Sequence, residues 1–172
     1  TRGSEQDVLS RFYESAKLIG ADVIVRITGD CPLVDSGLVD ECINSYKKAN
    51  VDYFSNIEPV TYPDGLDVEV MSVESLERAH NETKSKFDRE HVTAYIRNSN
   101  SFSKCSIQHT EDLSSCRWTV DEAEDLNVVT NVFGYFSPNI LFDWKQVLKL
   151  RSLQPQLFSE NEHIENNEGA VM

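Results

Sequence analysis

The sequence predicts an α/β fold with a mostly parallel sheet flanked by helices. Three observations carry this: short β-branched runs alternate with helical patterns of about ten or more residues, the apolar content is that of a globular chain, and a few short alternating strands interrupt the middle. With 172 residues, 40% hydrophobic and 26% charged, one domain with a buried core is expected. No apolar run approaches the length of a membrane span.

The elements follow in order. Ser4 with Asp7 three residues on resembles a capping box, and Val8, Leu9, Phe12, Ala16 and Ile19 then recur at helical spacing until Gly20. "DVIVRIT" reads as a buried strand ending near Thr28, and Val39, Cys42, Ile43 and Tyr46 mark a second helix after Asp35. "VDYFSN" is a strand, and "LDVEVM" alternates acid with apolar residues like a half-exposed strand after the Pro63-Asp64-Gly65 turn. Ser72 caps a helix through Leu76 and Ala79, and a further helix is expected from Asp88 to Arg97. "FSKCSIQ" and "RWTV" read as strands, and "DEAEDLNVVTNVF" as a helix with four acids crowding its first turn, which suits the helix dipole. Beyond Pro155 the periodicity fades. Residues 154–172 are therefore expected to be a weakly ordered tail or connector behind a domain spanning 1–153.

A net charge of −13 with no basic stripe argues against a nucleic-acid partner, because counterion release has nothing to act through. The same charge repels a small anionic substrate, so a nucleotide ligand calls for a divalent cation. Cys31, Cys42, Cys105 and Cys116 show no metal or disulfide spacing and no secretory signal precedes them, which points to free thiols in the cytoplasm.

In open α/β sheets ligands bind beyond the carboxyl ends of strands, and two strand candidates here end beside an acid, Asp30 and Asp121. If their strands are neighbours, two carboxylates meet in one crevice, and carboxylates with water and phosphate oxygens suit Mg²⁺. Either acid could instead be a cap or turn former. A second cluster, Asp64, Asp67 and Glu69 in "YPDGLDVEV", is equally consistent with a turn and a solvated edge strand. His91 and Tyr95, four apart, would share a helical face as ligand groups or as ordinary surface residues. Arg89 is a candidate for a carboxylate or phosphate contact, since so acidic a chain must supply positive charge near its ligand. No dinucleotide fingerprint, phosphate loop, nucleophile elbow or H-E-x-x-H occurs, while a Cys-His nucleophile pair stays open.

Taken together and in order, "RITGDCPLVD", "YPDGLDVEV", "REHVTAYIR" and "RWTVDEAEDL" resemble the spore coat polysaccharide biosynthesis F-type branch of the cytidylyltransferases, relatives of the acylneuraminate and ketodeoxyoctonate enzymes. The resemblance runs from about Arg2 to the "NNEG" tail. It implies a Rossmann-like nucleotidyltransferase fold and transfer of CMP from CTP to a sugar or sugar acid with Mg²⁺. It further implies that Asp30 and Asp121 hold the metal, that Arg2, Gly3, Ser4 and Gly29 lie near the nucleotide, and that Asp64, Gly65, Asp67, Glu69, His91 and Tyr95 line the sugar side. Relatives suggest a homodimer. They also begin with a strand and a basic glycine-rich loop, A-R-x-x-S-x-R-L-P-x-K, that does not occur here, so the chain is expected to lack the first βαβ unit. Two rival readings are a nucleotide-sugar-dependent glycosyltransferase of related fold and a non-catalytic binding or structural module.

Overall fold

The computed structural model describes residues 3–164. Where the length predicts one domain, the chain divides into two compact units, each assembled from separate stretches. The first takes the residues up to Arg26, then Cys42–Ser55 and Glu69–Ile107; the second takes Ile27–Glu41, Asn56–Val68 and the chain from Gln108 on.

The first unit holds the sheet. Strands β1 (Val23–Arg26), β2 (Tyr53–Ser55), β3 (Glu69–Ser72) and β4 (Lys104–Ser106) lie in the order β1-β3-β2-β4. β3 runs antiparallel to β1 and β2, and only β2 with β4 is parallel, so the sheet is mixed where a mostly parallel one was expected. Ser72 ends β3 and caps the next helix with no intervening loop. β3 is also neither half-exposed nor an edge. It is central, and Glu69 is 1% exposed, ion-paired to its register partner Arg26 and accepting from the Tyr53 hydroxyl.

Helices α1 (Val8–Ile19), α3 (Val73–Glu82), α4 (Lys86–Glu90) and α5 (Ala94–Asn98) belong to this unit, and α2 (Ser36–Ala49) passes from the second unit into it. Its core is Leu9, Tyr13, Tyr53, Met71, Leu76, Ala79, Val92, Ile96 and Phe102. The cap of α1 is Asp7, whose carboxylate accepts from the Ser10 N–H, and not Ser4. The helix expected over 88–97 is two short helices, because Val92 takes a left-handed φ of 57° between them and is wholly buried there. His91 and Tyr95 consequently do not share a helical face.

The second unit contains α6 (Ala123–Phe136), α7 (Trp144–Leu153) and a 3₁₀ helix, Pro155–Asn161. This last helix lies in the first part of the segment expected as a tail or connector. Phe158 and Asn161 are each 3% exposed, and Asn131 of α6 donates to the Leu157 carbonyl. The rest, 165–172, lies outside the described residues. "RWTV" is extended but forms only a single bridge, Asp64 with Arg117, and not a strand.

Candidate active site

One extended segment, Cys116 to Val120, organises the site in the second unit. On one side Asp64 N–H donates to the Cys116 carbonyl (2.9 Å) and Trp118 N–H to the Asp64 carbonyl (2.7 Å). Val120 N–H and the Thr119 hydroxyl donate to the Asp30 carbonyl at 2.8 and 3.3 Å. The loop after β1 and the Pro63-Asp64-Gly65 turn are therefore tied to the same short segment, which then delivers Asp121. Gly65 makes the approach feasible. Its φ is +102°, and a Cβ there would stand 2.6 Å from both the Thr119 nitrogen and the Trp118 carbonyl carbon. Buried Asn56 locks the loop, donating to the Leu66 carbonyl and accepting from Val68 N–H, both at 2.8 Å.

Arg117 sits at the centre, 8% exposed. It grips Asp125 with two hydrogen bonds, Nε to Oδ1 at 2.9 Å and Nη2 to Oδ2 at 2.8 Å, donates to Asp121 at 3.1 Å and lies 3.9 Å from Asp64. Asp125 is fully buried and also accepts from Asn161 Nδ2 and from the N–H groups of Asp121 and Glu122. Burial pushes its carboxyl up, but these donors outweigh burial and hold it well below the usual carboxylate range. Asp64 goes the other way: burial raises it, Arg117 offsets part of this, and the charges of Asp121, Asp30 and Asp125 add to the rise. Asp125 alone can balance Arg117, so Asp30, Asp64 and Asp121 are negative charge in excess, which a divalent cation would neutralise.

Asp121 is half exposed, so its carboxylate is open to a ligand while Arg117 orients it. No group of three or more His, Cys, Asp or Glu side chains able to hold a metal occurs among the described residues. Asp30 and Asp121 each offer a carboxylate, the hard oxygen donor that Mg²⁺ prefers. Beside them Cys31 donates toward Asp30 at 3.4 Å and lies 3.0 Å from the Thr28 hydroxyl. Burial, with the charges of Asp30 and Asp67, pushes its thiol up to about 12, against a lowering hydrogen bond from Thr28, so Cys31 stays a neutral thiol and no nucleophile.

The structure thus gathers Asp30, Asp64, Gly65, Asp67 and Asp121 in one unit, with Gly29 exposed beside Asp30. Gly3, Ser4, Glu69, Arg89, His91 and Tyr95 belong to the other, and Arg2 lies outside the described residues. Several of these side chains have internal work. Arg89 pairs with Asp7 at 2.9 Å and donates to Ser10 and to the His80 and Thr83 carbonyls. Tyr95 donates to Glu82 at 2.9 Å, and exposed His91 leans on Phe87. Sequence reasoning missed Arg117, Asp125 and Asn161. The legible signal was a lone Arg four residues before Asp121 and eight before Asp125, with Glu122 and Asp125 at the spacing of the capping box that they form.

The cytidylyltransferase family pattern matches residues 1–164. The chain belongs to the cytidylyltransferase family. An uncharacterized protein of Methanocaldococcus jannaschii is 37% identical over 166 residues, covering 95% of this chain and 67% of that protein. The spore coat polysaccharide biosynthesis protein SpsF of Bacillus subtilis is 27% identical over 165 residues, covering 94% of this chain and 68% of that protein. A solved cytidylyltransferase from Leptospira borgpetersenii serovar Hardjo-bovis superposes with a TM-score of 0.88 at 28% identity, over 96% of this chain and 70% of that one. Membership of the cytidylyltransferases supports a nucleotidyl-transfer role. No helix among the described residues is long and apolar enough to cross a membrane.

Proposed function

We propose that this cytidylyltransferase moves CMP from CTP to a hydroxyl of a sugar or sugar acid, releasing pyrophosphate, in the supply of activated sugar for a surface polysaccharide. The observation that carries the reading is the shared segment 116–120, which ties the Asp30 loop and the Asp64 turn together and ends at Asp121. Asp30 and Asp121 are the residues that would hold Mg²⁺, and Arg117 aims Asp121 while Asp125 keeps Arg117 from turning away. Bound there, the metal supplies neutralisation of phosphate charge. The chain's own task is then positioning: the in-line approach of a hydroxyl to the α-phosphorus needs alignment more than acid–base chemistry. The polysaccharide role follows the name of the Bacillus relative, and the cytoplasmic setting follows the free thiols.

Calorimetric titration of CTP into the folded chain, with and without Mg²⁺, tests this. Magnesium-dependent binding is expected, weakened about tenfold or more by Asp30→Asn or Asp121→Asn. A folded chain that binds no CTP with Mg²⁺, or binds it equally in both variants, overturns the reading.

A further inference from the structure

Asn161, on the 3₁₀ helix, is 3% exposed and directs its side-chain amide at one pair of residues: Nδ2 donates to Asp125 Oδ1 at 2.8 Å and to the Arg117 carbonyl at 3.1 Å. The charge of Asp125 does not call for this donor. Its two oxygens already take Arg117 Nε and Nη2 and the N–H groups of Asp121 and Glu122, which fill the roughly four lone-pair sites of a carboxylate. What Asn161 adds is direction. Asp125 grips Arg117 by the guanidinium, Asn161 grips it by the backbone, and Asn161 also holds Asp125, so the three close a ring of hydrogen bonds that restrains the guanidinium from swinging. That guanidinium reaches Asp121 Oδ2 at 3.1 Å, on a side chain that is 52% exposed. The 3₁₀ helix is itself fixed to α6, the helix that follows Asp121: Asn127 Nδ2 donates to Glu160 at 2.8 Å, Asn131 Nδ2 donates to the Leu157 carbonyl at 3.2 Å, and Phe158 is buried.

We propose that Asn161 is a positioning residue for the reaction: acting through Arg117 and Asp125, it sets the direction in which Asp121 presents its carboxylate. The 3₁₀ helix is then part of the support of the site and not an appendage to the fold. This rests on the reading of Asp121 as a magnesium ligand. Groups that orient a metal ligand from behind change metal affinity by about 10–100-fold when they are lost, whereas a residue that only packs the same helix changes stability and leaves the metal dependence alone.

The test is calorimetric titration of CTP with and without Mg²⁺ into the wild type, Asn161→Leu, Asp121→Asn and the double variant, read as the factor by which Mg²⁺ tightens binding. Leu keeps a branched side chain and removes both donors. Asn161→Leu is expected to lower that factor about tenfold, and to lower it no further once Asp121→Asn is present, because the two act through one carboxylate. Phe158→Leu, on the same helix, should lower the melting temperature and leave the factor unchanged. If Asn161→Leu does not fold, Asn161→Ala carries the same comparison. A wild-type factor in the Asn161 variant, an equal loss in the Asp121→Asn background, or an equal loss in Phe158→Leu overturns the proposal while leaving the nucleotide reading in place. A wild type that binds no CTP with Mg²⁺ overturns both.

Discussion

Arg117 and Asp125 are worth most as a pair. With Asp125 wholly buried, Arg117→Ala strands a carboxylate with no cation, a class of change that costs roughly 3–5 kcal/mol. Urea unfolding at neutral pH is expected to show that loss. The pH dependence follows from the depressed carboxyl. Near its ordinary value of 3.8 the unfolded chain takes up a proton that the native state refuses, so Asp125 stabilises fully above that pH and progressively less as pH falls toward the native value. The stability gap between the wild type and Asp125→Asn should accordingly narrow as pH drops from about 5 to about 2. A constant gap would mean that Asp125 acts through shape and not through charge.

At the scale of elements, Asp35 is the economical device. Its Oδ1 accepts from Leu38 N–H at 2.8 Å and so caps α2, while its Oδ2 accepts from Trp144 N–H at 3.1 Å, the first residue of α7. A single buried carboxylate thus anchors two helix starts, and α7 has its own capping box at Asp143 and Gln146 besides. Asp35→Ala should cost roughly 2 kcal/mol, about one for each cap. Asp35→Asn, with one acceptor oxygen, should lose about half as much in the same denaturation measurement. Equal losses would show that only one of the two bonds matters. The break at Val92 is another decision made between elements. A buried Val accepts a left-handed φ because its apolar side chain is held in the core of the first unit.

Charge dominates at the scale of the whole molecule. At −13 the carboxylates repel one another along the chain, and that repulsion weakens as the Debye length shortens. The melting temperature should therefore rise between about 0.01 M and about 0.15 M sodium chloride. A melting temperature that falls over this range would show that attractive pairs such as Arg89 with Asp7 outweigh the net repulsion.

What the sequence by itself determined is what local chemistry encodes: helical patterns placed α1, α2, α3 and α6, a β-branched run placed β1, "VDYFSN", "LDVEVM" and "FSKCSIQ" marked β2, β3 and β4, and the ordered motifs pointed to the family. Asp30 and Asp121 could be singled out because acids after apolar runs are visible one residue at a time. Only the tertiary structure decided that β3 is central and antiparallel, that Glu69 and Arg89 are engaged internally, and that Arg117 pairs with a buried Asp125 which Asn161 also holds. The reason is range. Pairing direction, burial of charge and the choice of ionic partner depend on residues tens of positions apart, such as Asp30 with Val120 or Asn161 with Asp125, and no window of local sequence contains both members.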